Sequence, residues 1–325
     1  VPSEYSTIQA AINVAVDSDT VLVAPGTYVE NIDFWGKFIT VKSEAGPEIT
    51  IIDGNSVDTV VTFISGERQT SILDGFTVRN GRSGFDTPGF GDGGGIRIEN
   101  SSPTVTNNII TQNSACDGNG VSISFGSPVI QKNVISKNKR VGCSGGIGGG
   151  GIAIGGAAAA QVTDNIITDN TTDAAGGGIS LFAAGTPIIK GNLIEGNSAG
   201  DEGGGIWIVN HSDALIVQNV IRGNKASEGG GVYWLVPSGN RGPFLINNTI
   251  ADNDALYGSG IFADGYDAMS ELVNNVIIAK VGQTAIFCGN LNDINPPIFK
   301  FNDIFSPSGT AYGGICADQT GINGN

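Results

Sequence analysis

The sequence has one histidine, one methionine and four cysteines, and charged residues make up only 14% of it. With His211 alone and no recognisable serine or cysteine partner, there is no case for a nucleophilic triad; it reads as part of a surface loop, "VNHSDA". Zinc is equally unsupported, because the cysteines lack close metal-ligand spacing. Basic residues number 16 against 31 acidic ones, a net charge of −15. No Lys/Arg cluster exists to neutralise a nucleic-acid backbone, so nucleic acid is excluded as a partner. A polyanionic substrate would be repelled unless a cation intervened. No apolar run approaches the roughly 18 residues that cross a bilayer, so no transmembrane segment is expected. The chain opens at Val1 without a Met, which reads as a processed or trimmed start, and shows no signal peptide.

Glycine, by contrast, is abundant: 51 of 325 residues, while hydrophobic residues still reach 40%. Enough apolar side chain is present to bury, which excludes a disordered glycine-rich linker. The glycines belong to a repeated phrase. "NLIEGNSAGDEGGGIWI" at 192 to 208 returns as "NVIRGNKASEGGGVYW" at 219 to 234. Aligning the first asparagine of each phrase gives Asn108, Asn133, Asn165, Asn192, Asn219, Asn248, Asn275 and Asn302, with most steps near 27 residues. That period marks a solenoid. An isoleucine follows each asparagine by two, from Ile110 to Ile304, and a large apolar residue precedes it by three, from Val105 to Phe299. A third apolar pair follows the glycines, as in Ile206/Ile208 and Val232/Trp234, its spacing of two placing both members on one side of a strand.

Three short strands per unit and no helical segment predict an all-β right-handed parallel β-helix of roughly ten to eleven turns, each strand pairing with its equivalent one turn later. Isoleucines would form inward columns about 4.8 Å apart. Asparagines would line a bend, bonding neighbouring backbone and tolerating unusual dihedrals. Glycines would allow positive φ and leave no Cβ to crowd the next turn. The whole of 1–325 reads as one domain, with residues 1–18 as an N-terminal cap and 19–325 as coils. "STIQAAINVA" has helical spacing after Ser6 or Thr7, and further strands are expected near 38–41, 49–52, 60–64 and 71–78. "CADQTGINGN" shows no cap pattern, which reads as a trimmed or incomplete end.

Cys116 and Cys143 are 27 apart, and Cys288 and Cys316 are 28 apart. Cysteines one turn apart in one column would lie near the Cα separation a disulfide needs. Disulfides Cys116–Cys143 and Cys288–Cys316 are therefore expected, with an oxidising, extracellular or cell-surface location; four buried free thiols are the alternative.

"APGTYVENI", "IIDGN", "LDGFTVRNG", "GGGIRIENSSPTVTNN" and the repeated "N-x-I-x-x-N…GGGI" resemble the pectin-lyase-like right-handed parallel β-helix superfamily along essentially the whole chain. The resemblance implies the fold. It leaves the activity open, since polysaccharide lyases, glycoside hydrolases, esterases, epimerases and non-catalytic adhesins share that fold. "GTYVE" is similar to a pectin methylesterase segment, but segments like "QDTL" and "DFIFG" are absent. No "DPHD"-like or "GHG" motif occurs either. The glycine-rich repeats also resemble passenger domains of chlamydial-type surface proteins. No catalytic residue transfers by motif.

Function on a solenoid faces outward. The residue after the first post-glycine apolar position runs Arg97, Ser122, Ala153, Ser180, Trp207, Tyr233, Phe262. Trp207, Tyr233 and Phe262 form an aromatic row, read either as a substrate-binding platform for sugar rings or as an apolar cluster covered by a loop. Four residues before that apolar position, Asp92 aligns with Asp117 and Glu202 with Glu228, with Asp201 beside the second pair. Glu202 and Glu228 are candidate catalytic carboxylates. Alternatively Asp201, Glu202 and Glu228 would hold Ca²⁺. Lys225 and Arg222 lie near this pair in sequence, and Lys139 and Arg140 at the equivalent bend. Lyases of the superfamily typically use a basic residue with calcium, which makes Lys225 a candidate base; an ordinary solvated surface is the plainer reading. The expected function is an extracellular carbohydrate-interacting protein acting on a polysaccharide, as a lyase or glycoside hydrolase. The alternative is a non-catalytic surface or adhesion rod. The loop at 80–95 and the long step from Asn133 to Asn165 are candidates for cleft walls.

Overall fold

The computed structural model describes residues 1–84, 92–140, 143 and 148–325. Among them, one short helix precedes three eleven-stranded parallel sheets. The chain visits the sheets in order on every turn, for example Ile188–Lys190 in the first, Leu193–Glu195 in the second and Ile206–Val209 in the third. The register is the one the repeat dictates: Ile189 pairs with Ile216, Ile194 with Ile221 and Ile206 with Val232. These inward columns are fully buried and form one continuous core. Trp234 lies in an inward row beside Ile208 and Ala263, the small alanine leaving room for the indole.

The helix Ile8–Val14 closes the first end of the core with Ile8, Ala11 and Ile12. Thr7 caps it by accepting from the Ala10 amide, and the Glu30 carboxylate takes the free amides of Ile8 and Gln9. Expected strand 71–78 is two strands, Ile72–Asp74 and Thr77–Arg79, split by a corner at Gly75. Parts of the candidate cleft walls, residues 85–91, 141–142 and 144–147, lie outside the described residues.

The asparagine columns are buried ladders. Asn192 donates its backbone N–H and its Nδ2 to Asn219 Oδ1, at 2.9 and 3.0 Å, and its Nδ2 also reaches back to the Val162 carbonyl. The pattern repeats from Asn108 to Asn302. A second ladder, Asn113, Asn138, Asn170, Asn197, Asn224 and Asn253, lines the following corner. The unusual dihedral belongs to the residue before each ladder asparagine: Lys132, Asp164, Gln218 and Asn247 all have positive φ. One left-handed residue turns the corner with its side chain outward, and the asparagine then points in.

At the third corner the glycines divide the labour. Gly203 has φ of +64°, while Gly205 is needed for its missing Cβ, which would lie 2.5 Å from the Gly231 carbonyl one turn on.

Both disulfides are present, with Cα separations of 5.6 and 5.2 Å. Neither pair shares a ladder position, contrary to the single-column expectation. Cys288 registers with Gly314, two residues before Cys316. Asp117 registers with Gly148, a step of 31, whereas Cys116 and Cys143 are 27 apart. Each bridge therefore joins positions that are not register partners. No helix among the described residues is long and apolar enough to cross a membrane.

Candidate functional site

The outer face of the third sheet carries the row read from the sequence. Ser180 pairs with Trp207, Trp207 with Tyr233, Tyr233 with Phe262 and Phe262 with Phe287, so the row extends one turn beyond the expected three aromatics. A parallel outward row runs Phe182, Val209, Leu235, Asp264. The rings stack on one another along the axis: Phe182 on Trp207 at 6.3 Å, Tyr233 on Phe262 and Phe262 on Phe287 at 5.3 Å each. Tyr233 and Phe262 are only 6% exposed. This corrects the picture of an open platform. Turns about 4.8 Å apart bring neighbouring rings close to stacking distance, so the ring faces are spent on each other and the central members offer solvent their edges.

At the glycine corner beside this row, Glu202 and Glu228 pair on adjacent turns, followed by Tyr257. Burial pushes the Glu202 carboxyl above its ordinary value; the Trp207 indole, donating to it at 3.0 Å, pulls the other way, while the negative Glu228 and Asp201 raise it further. Glu228 is raised by burial and by Asp264. Asp264 accepts from the amides of Gly265 and Leu291, both at 2.9 Å. The Tyr233 hydroxyl is pushed up by burial and by the negative charges of Glu202, Glu228 and Asp264. Two carboxyls that resist ionisation beside an anchored carboxylate can give and take protons on one patch of surface.

Other expected partners lie apart from this patch. Lys225 is exposed, pairs along the backbone with Ser198 and Asp254, and lends its charge to Asp254. It is not among the groups that shift Glu202 or Glu228. The charge of Lys225 is thus directed to Asp254, on the turn after it, rather than to the two glutamates. Arg222 is held by Glu195 at 2.9 Å and Arg140 by Asp173 at 2.6 Å; Lys139 pairs along the backbone with Thr171. Asp117 is buried. Calcium does not fit the proposed set: among the described residues no group of three or more acidic, cysteine or histidine side chains converges as metal ligands. Asp201 is exposed and Glu202 is occupied by the indole. His211 is exposed and bonds Asn240 at 2.7 Å.

Sequence reasoning missed Asp264 and Asp267. Asp264 occupies the outward row three residues after Ile261, where strand alternation marks it. Asp267 follows in the next turn, 3% exposed, accepting from the buried Trp234 indole at 2.9 Å. Burial, with Asp264 and Asp293 adding to it against the indole bond, raises its pKa to about 7. No repeat position marks it. Phe287 was missed because its turn, "TAIFC", lacks the glycine triplet.

The comparisons with known proteins agree on architecture. Residues 143–277 match the family described as the right-handed β-helix region, and residues 35–186 match DUF1565, a family of proteins of unknown function. No curated protein matches the sequence. The fold is similar to that of the catalytic unit of a thermostable GH87 α-1,3-glucanase from Streptomyces thermodiastaticus strain HF3-3, with a TM-score of 0.54 at 16% identity. That likeness covers 94% of this chain but 64% of the glucanase unit, so the chain spans less than two thirds of its length. With its three parallel sheets, its buried ladders and these matches, the chain has the right-handed parallel β-helix fold.

Proposed function

We propose that the protein is an extracellular glycoside hydrolase that cleaves a polysaccharide lying across the outer face of the third sheet. The observation that carries this reading is the pair Glu202 and Glu228 on adjacent turns, with the pKa of Glu202, the assigned acid, raised by burial. Adjacent turns stand about 4.8 Å apart, close to the roughly 5–5.5 Å between the carboxyls of retaining glycosidases. Glu202, the more shielded of the two, protonates the departing glycosidic oxygen. Glu228 bonds to the anomeric carbon, and Glu202 then takes a proton from the water that releases the sugar. The edges of Trp207, Tyr233 and Phe262 border the chain. The α-1,3-glucanase of similar fold supports a polysaccharide substrate, and the two disulfides support an oxidising, extracellular setting.

A second reading, a non-catalytic surface module, draws on the burial of Tyr233 and Phe262 within a self-stacked row. One assay separates the two. Neutral and uronate polysaccharides are incubated with the protein, and reducing ends and unsaturated-uronate absorbance are followed together. New reducing ends without absorbance, lost in Glu202→Gln, are expected; turnover unchanged in that variant removes the acid role, and silence across the panel favours the module.

A further inference from the structure

Far from that patch, on turns nearer the first end of the solenoid, a groove of about 610 Å³ is lined by Phe38, Arg68, Gln69, Thr70, Asn100 and Ser102, among others. It adjoins a second hollow of about 400 Å³ that shares Phe38, Gln69 and Thr70. The Arg68 guanidinium lies 4.6 Å over the Phe38 ring. Stacking of this kind fixes the plane of the group while its N–H edges stay free to donate.

In a chain of net charge −15, arginines find acids easily: Arg79, Arg97, Arg140 and Arg222 each meet a carboxylate. Arg68 meets none among the described residues. Its neighbour Glu67 is turned inward, accepting from the Gly36 and Ser65 amides and the Ser101 hydroxyl. Asp17, at the adjoining hollow, accepts from the Phe38 amide. The remaining lining offers neutral amides and hydroxyls from Gln69, Thr70, Asn100, Ser102 and Ser127.

We infer that this groove binds a saccharide bearing a carboxylate or sulfate, with Arg68 reading the anion. A planar guanidinium with free N–H edges matches an oxyanion in bidentate fashion. Hydroxyl and amide groups supplied by successive turns, spaced about 4.8 Å apart, recur at close to the advance of a pyranose chain per sugar. The inference does not depend on the hydrolase reading, because no residue of the groove belongs to the patch around Glu202.

Titration calorimetry on the full chain tests it, using oligogalacturonate, a sulfated oligosaccharide and a neutral gluco-oligosaccharide of equal length. At least one anionic probe is expected to bind more tightly than the neutral one, with affinity falling as salt rises. Arg68→Ala should weaken that binding about tenfold or more, the scale of a lost charge-assisted hydrogen bond. Asn100→Asp, which leaves the Arg68–Phe38 stack in place, should weaken it as well. Whichever anionic probe binds identifies the oxyanion. Failure of both to bind, equal binding of the neutral probe, or indifference to Arg68→Ala overturns the inference. Glu202→Gln should abolish depolymerisation and leave groove binding intact, so the two readings fail separately.

Discussion

The asparagine corner between the first and second sheets and the glycine corner before the third are both turned by left-handed residues, yet they vary in opposite ways. At the asparagine corner the inward residue is the same on eight successive turns, and its amide is satisfied by the turns on either side. At the glycine corner the aligned position runs Asp117, Gly148, Ala175, Glu202, Glu228, Tyr257. The first corner is constrained because any other side chain there strands buried polar atoms. The second changes along the stack, from the buried Asp117 and Ala175 to the half-buried Glu202 and Glu228 and the exposed Tyr257, because no ladder of hydrogen bonds ties its side chain to the next turn. Constancy along a solenoid thus marks scaffold, and departure from constancy marks where chemistry can be placed.

The sharpest break of that contrast is Asn219→Ala. It strands the Asn192 amide and Nδ2 donors and the Ile189 carbonyl, and should cost about 3–5 kcal/mol at several unmet buried groups. Denaturant titration measures it, and a loss below about 1 kcal/mol would show that the ladder is dispensable.

Asp267, at the corner that follows the third sheet, is a titratable group held in the core. Its carboxyl has a native pKa of about 7 against an ordinary 3.8. The native state therefore holds a proton that the unfolded chain has released, and stability falls as pH rises across that window. Asp267→Asn still accepts from the Trp234 indole but does not titrate. It should equal the wild type near pH 3.5 and exceed it by up to about 4 kcal/mol at pH 8. Parallel stability profiles for the two proteins would refute the assignment.

Two glycine variants then separate close approach from backbone dihedral. Gly231→Ala places a Cβ 2.5 Å from the Gly260 carbonyl and should cost about 2–3 kcal/mol. Gly223→Ala, at φ of +62° with its nearest neighbour 3.9 Å away, should cost about 1 kcal/mol. Equal losses in thermal unfolding would erase the distinction.

The smallest effect concerns Glu202. Trp207→Phe keeps an aromatic ring and removes the indole bond that lowers the Glu202 pKa. If Glu202 is the acid, the alkaline limb of the pH–rate profile should move to higher pH; an unmoved limb would detach Trp207 from the chemistry.

The sequence by itself determined the repeat step, the inward columns from Val105 to Phe299, the asparagine columns along a bend and the pairing of the four cysteines. A fixed period gives every turn the same neighbours, so one turn read correctly reads them all. It also determined the alignment of Trp207, Tyr233 and Phe262 and of Glu202 with Glu228. Tertiary structure alone decided that the ring faces stack on each other, that Lys225 serves Asp254, and that the disulfides join positions that are not register partners. It also brought Asp264 to the patch and buried Asp267 against the Trp234 indole. Those outcomes rest on side-chain rotamers and corner geometry between neighbouring turns, and the period, which specifies where a residue sits along the chain, carries no information about which way an outward side chain leans.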